Sequence, residues 1–102
     1  MPYVIGNESF STKQEIIKKT QCILNKTADN QEVGGRDYDF LIALFRNHNE
    51  WEQKSENGYS KIITGKSLHG TRCFYLKTDI GLEDISFRHA IKCIKKLPVI
   101  DI

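Results

Sequence analysis

The hydrophobic pattern has one period before about residue 58 and another after it. Tyr3-Val4-Ile5 reads as a short strand ended by Gly6-Asn7. Ser11-Thr12-Lys13-Gln14 then has the spacing of a capping box, with Ser11 as the predicted cap of a first helix. Ile16, Ile17, Thr20, Ile23 and Leu24 share one helical stripe, which carries that helix to about Lys26 and leaves Cys22 on the far side. Residues 27–35 are polar and close on Gly34-Gly35, so they read as a loop. From Asp37, the run Tyr38, Phe40, Leu41, Ile42, Leu44, Phe45 predicts a second helix with a wide apolar face, ending near residues 47–49. At 100° per residue His48 falls in the middle of that face. It is therefore expected to be buried and hydrogen-bonded to backbone, a ligand or acid/base role being the other reading.

After Asn57-Gly58 the period becomes two. Residues 59–64, 71–78 and 82–87 read as strands, separated by the loop 65–70 and the turn Asp79-Ile80-Gly81, and such short links predict an antiparallel meander. Ser86 is placed to cap a last helix. In it Phe87, Ala90, Ile91, Ile94 and Leu97 share one face, Arg88, Lys92, Lys95 and Lys96 share the other, and Pro98 is the predicted stop. The expected fold is α+β: a small antiparallel sheet of three to four strands packed by three helices on one face.

At 102 residues the chain has room for one domain, 1–102, with its core over about 3–97. Isoleucine supplies 13 residues and aromatics ten, enough for the buried side of a sheet. No stretch approaches the ~18 uncharged apolar residues of a membrane span. The first residues lack the charged and apolar regions of a signal peptide and the Arg-rich character of a transit peptide, which leaves the cytoplasm as the expected location. Cys22, Cys73 and Cys93 are odd in number and far apart, the usage of free thiols.

Charge adds a polarity that the net value of +2 conceals. Residues 29–56 carry three basic and seven acidic side chains, whereas residues 57–102 carry eight and four. Four cations on one arc of the last helix, with no acid between Phe87 and Pro98, suit contact with a phosphate backbone. A solvated basic face that favours the helix dipole is the plainer alternative. Lys61, Lys66, Arg72 and Lys77 on the strands extend the basic set, and Tyr59 and Tyr75 are stacking platforms unless the helices cover them. Trp51 reads as a partly buried lid. Lys13 and Arg72 stand where charge is inconvenient and are expected to snorkel or pair, Asp84 being the expected mate of Arg72.

Reactive chemistry is thinly represented. No closely spaced Cys or His pairs suit a metal, and Gly65-Lys66-Ser67 copies only the end of a phosphate-binding loop. Cys73, beside Arg72 and with Asp84 or His48 as base, is the one nucleophile candidate; a core thiol is the alternative. Glu83 and Asp84 point to opposite faces of a strand and cannot share a substrate.

The run Asp37 to His48, with Phe10, Lys13, Lys54, Gly58, Arg72-Cys73-Phe74, Asp79, Gly81 and Asp84-Ile85-Ser86-Phe87, resembles the DCL-like domain of plant "defective chloroplasts and leaves" proteins. The resemblance runs from about Phe10 to Ile94, with Lys77-Thr78-Asp79-Ile80-Gly81 where that family usually has Arg-x-Asp-Gly. It marks Lys13, His48, Lys54, Asp79, Asp84 and Ser86 as motif positions. It also implies a context in ribosomal RNA maturation or transcription, without an established enzyme.

The expected function is a non-enzymatic accessory domain that binds nucleic acid, RNA favoured, through Arg72, Arg88, Lys92, Lys95, Lys96, Lys61 and Tyr75. The alternative is a protein-interaction module docking onto a nucleic-acid-processing assembly, and a small hydrolase using His48 with Cys73 or Asp84 is more remote. No cofactor, metal or membrane partner is expected, and the chain should be a monomer or weak homodimer.

Overall fold

The computed structural model describes residues 3–94. A hairpin of β1 (Tyr3–Ile5) and β2 (Glu8–Phe10) leads into α1 (Lys13–Lys26), β3 (Glu32–Val33), α2 (Gly35–Phe45) and α3 (Trp51–Ser55). The meander β4 (Lys61–Lys66), β5 (Arg72–Thr78) and β6 (Gly81–Ile85) and the helix α4 (Phe87–Cys93) complete it. The four-stranded antiparallel sheet has the order β3-β4-β5-β6, and β1-β2 form a separate two-stranded sheet. The class is α+β, as the periodicity predicts.

One face of the large sheet is core. Ile62, Phe74, Leu76 and Ile85 are buried against Ile16, Leu41, Leu44, Phe45, Ala90 and Ile91 from the helices. Phe74 stands edge-on to both Phe45 and Phe87, each pair with ring centroids 5.9 Å apart, which locks α2 and α4 to the centre of β5. The opposite face carries Lys61, Ile63, Cys73, Tyr75, Lys77, Leu82 and Asp84 by strand alternation.

Several elements differ from expectation. The cap of α1 is Thr12, whose Oγ1 accepts from the Glu15 amide at 3.3 Å, and Ser11 is not the cap. The hairpin holds the chain extended through Phe10 against Tyr3, so the turn into the helix falls one residue later with the same spacing. β2 and β3 went unseen because Glu8-Ser9-Phe10 and Glu32-Val33 are short and mostly polar, unlike the equally short but apolar and aromatic Tyr3-Val4-Ile5, and β3 lies within the polar stretch 27–35. Asn30, at φ 64°, donates its amide to the Thr64 carbonyl, and Thr64 Oγ1 donates to Ala28 O at 2.6 Å. Those bonds stitch the stretch to β4.

The second helix ends at Phe45. A turn through His48 separates it from α3, a five-residue helix with no buried residue. Trp51 is half-buried there and packs on Tyr59, centroids 5.1 Å apart. α4 starts as expected, Ser86 Oγ accepting from the His89 amide at 3.1 Å. It ends at Cys93, five residues before Pro98, with Ile94 extended. Lys13 Nζ donates to the Lys92 carbonyl at 3.2 Å, occupying an acceptor that a continuing helix would use. Lys95, Lys96, Leu97 and Pro98 lie outside the described residues.

Candidate functional site

A groove of about 910 Å³ opens between the outer side of β5 and β6, the β4–β5 loop and the start of α4. Tyr75 and Cys73 come from β5, Leu82 and Asp84 from β6, and Phe87 and Arg88 from α4. The loop from Ser67 to Thr71 forms one lip and the C-terminal half of α1, from Gln21 to Asn25, another. That loop is an ordered turn. Ser67 N donates to Thr71 O at 2.8 Å, Gly70 N to Ser67 O at 2.9 Å, and Gly70 sits at φ 80°, where a side chain would be strained.

Tyr75 is held by two constraints. Its hydroxyl donates to Lys66 O at 2.9 Å, and its ring lies so close over Gly65 that an added Cβ would stand 3.1 Å from Cε2. The hydrogen-bonding contact of its hydroxyl with the Cys73 thiol, followed by desolvation, raises its pKa above the ordinary phenol value. The ring leans toward β4, and Asp84 is its direct cross-strand neighbour on β6.

Around the groove the cations are of two kinds. Arg72 Nε donates to Asp29 Oδ1 at 2.9 Å and its Nη2 to the Thr27 carbonyl, so it ties β5 to the end of α1. The expected Arg72–Asp84 pair does not form. β5 pairs with β6 only from Phe74↔Ile85 onward, which leaves Arg72 beyond the end of β6 and on the other side from Asp84. Lys61, at the far edge, pairs with Glu32 at 3.3 Å. Lys66, Lys77, Arg88 and Lys92 are exposed, with no carboxylate partner among the described residues. Arg88 lies 5.4 Å from the Phe87 ring centroid, and Lys92 follows one turn later on the same side of α4.

Residues 21–93 match the model of the family described as Protein of unknown function (DUF3223). The chain belongs to that family. The finding replaces the DCL-like resemblance and removes the ribosomal RNA maturation context that came with it. The motif residues behind that resemblance have structural work in this DUF3223 domain: Phe40, Leu41, Leu44 and Phe74 are core, and Ser86 is a cap. No curated protein matches the chain. The solution NMR structure of an uncharacterized protein from Rhodospirillum rubrum is similar in fold, with a TM-score of 0.80 and 23% identity over 92% of this chain and 88% of that one.

The remaining motif positions are also accounted for. His48 is 5% exposed, and its Nδ1 accepts from the Glu50 amide at 3.0 Å, which leaves the neutral ring's proton on Nε2. Desolvation, then the nearby His89 and Lys54, lowers its pKa. The His89 ring lies 4.5 Å away between centroids, tilted by 49°, and contacts Asn49 Oδ1 at 2.7 Å. No hydrogen bond joins His48 to Cys73 or Asp84 among the described residues, and His48 does not line the groove, so the hydrolase constellation is not assembled. Lys54 fastens α3 to the free edge of β6, donating to Asp84 O at 2.8 Å and Glu83 Oε1 at 3.2 Å. Asp79 is exposed and backs Gly58, whose φ is 78°. Among the described residues no three His, Cys, Asp or Glu side chains converge to hold a metal, and no helix is long and apolar enough to cross a membrane.

The sequence missed the site's centre of gravity. Reading the last helix as the main element overlooked the β4–β5 loop, whose His69 and Leu68 form a lip of the groove. The Ser67-to-Gly70 turn residues were the available signal.

Proposed function

We propose that the domain is a non-enzymatic module that binds single-stranded nucleic acid, RNA in preference, along this groove in the cytoplasm. The observation that carries the reading is Tyr75: an aromatic ring fixed on the open side of a sheet, in a groove that Arg88 also lines with no carboxylate of its own. A base stacks on such a ring, worth about 1–3 kcal/mol by alanine substitution, while the cations hold the flanking phosphates. Lys92 extends the track along α4. Lys95 and Lys96 add charge in the sequence that follows, and Arg72 keeps guanidinium N–H groups at the groove wall. Lys61 stands apart, paired with Glu32 at the opposite edge.

The test is fluorescence anisotropy with a labelled single-stranded RNA 12-mer against duplex RNA and duplex DNA from low to moderate salt. With about four phosphate contacts, log K should fall against log salt with a slope of about −3. Changing Arg88 and Lys92 together to Gln should flatten that slope by ~1.4, and Tyr75→Ala should weaken binding about tenfold without changing it. Absence of binding at low salt would overturn the reading.

A protein partner is the second reading, favoured by one observation. Leu68 is fully exposed and Leu82 is 56% exposed, both on the groove. Apolar docking there would be insensitive to salt and lost in Leu68→Ser.

A further inference from the structure

A carboxylate in a groove meant for a polyanion needs a reason. Asp84 lies directly across from Tyr75 in the β5–β6 register, on the same open face, and its side chain is 80% exposed. Its charge is hardly compensated: Lys54 Nζ is 4.0 Å from Oδ1 and donates instead to the Asp84 backbone carbonyl at 2.8 Å and to Glu83 at 3.2 Å. Arg72, the cation the sequence would supply, is engaged by Asp29.

We propose that Asp84 makes the groove selective for an unpaired guanine, an inference that rests on the reading of the groove as a single-stranded nucleic-acid site. Tyr75 and Asp84 line the same groove on the open face, so a base stacked on the ring can turn its pairing edge to the carboxylate. Directly opposed residues of an antiparallel pair have Cβ atoms about 5 Å apart, which brings the carboxylate within reach of that edge. An ionised carboxylate only accepts hydrogen bonds, and it accepts best in parallel pairs. Guanine presents two adjacent donors, N1–H and N2–H, on its pairing edge. Uracil presents one N–H between two carbonyls, which the carboxylate repels. Adenine and cytosine each set an amino group beside an acceptor nitrogen. Only guanine matches both oxygens, and the repulsion that Asp84 exerts on phosphates becomes discrimination among bases.

The experiment measures affinities of uridine 10-mers carrying one central guanine, inosine, adenine or cytosine, with all-uridine as reference and guanosine monophosphate as competitor. The single guanine should bind about tenfold or more tighter than uridine. Inosine, which keeps N1–H but lacks the 2-amino group, should lose most of that gain. Asp84→Asn, a change at an exposed side chain, should abolish the preference while the all-uridine strand binds at least as tightly as before. Equal affinity for guanine and uridine strands in the unaltered protein, or a uniform loss in Asp84→Asn, would overturn the proposal and leave the single-strand reading standing. No binding by any strand at low salt would remove both. Displacement by guanosine monophosphate at the strand's own concentration would overturn the assignment to RNA and point to a free nucleotide.

Discussion

At residue 48 an imidazole is enclosed among α2, α3 and α4, with Nδ1 committed to the Glu50 amide and the tilted His89 ring against it. Burial, His89 and Lys54 lower its pKa from 6.5, outweighing Glu50 and Asp84. The unfolded chain therefore takes up a proton at a higher pH than the folded one, so His48 contributes stability above about pH 6.5 that is lost as pH falls toward its folded pKa. Denaturant midpoints measured from pH 8 to 5 should fall on the acid side, and His48→Asn should reduce that slope while lowering stability at pH 8. The 3.6-residue period placed His48 correctly because its neighbours on the stripe, Leu41, Leu44 and Phe45, are core. It could not place Arg72. The choice between Asp29 and Asp84 depends on where β6 ends along β5, and a strand register is set by the whole hairpin rather than by the residue.

Element by element, what the sequence revealed scales with length and amphipathic contrast. The 14-residue α1 and the six- and seven-residue β4 and β5 were legible, as was the short β1 from its run of β-forming Tyr3-Val4-Ile5, whereas the short and mostly polar β2, β3 and α3 showed neither a period nor such a run. Capping chemistry is the most exacting local test of the corrected boundaries. Thr12→Ala and Ser86→Ala should each cost about 1 kcal/mol in chemical unfolding, and Ser11→Ala should cost close to nothing. At the contact between α4 and the sheet, Phe74→Ala should cost about 3–5 kcal/mol, because it removes the ring that both Phe45 and Phe87 meet edge-on. The same packing sets the start of α4, with Arg88, on the wall of the groove that Tyr75 also lines, so the core sets the geometry of the groove.

Over the whole molecule, the acidic middle of the chain is folded against the basic half. Asp29 and Glu32 neutralise Arg72 and Lys61, two of the cations that sequence alone assigns to the nucleic-acid surface. The charge polarity was legible in the sequence; its partial cancellation was not, since both ion pairs join residues at least 29 apart in the chain. Asp29→Asn should release Arg72 at the groove wall and raise affinity for single-stranded RNA severalfold at low salt, read by anisotropy, with a steeper salt dependence, whereas Glu32→Gln, which frees the distant Lys61, should change neither. The central claim is that the groove around Tyr75 holds the strand. The most direct measurement is a titration of the isotope-labelled protein with single-stranded RNA, followed through its backbone amide NMR signals. Shifts concentrated at Ser67–Thr71, Cys73, Tyr75 and Asp84–Arg88 are the predicted result. Shifts confined to α2 and α3, or none at saturating RNA, would contradict it.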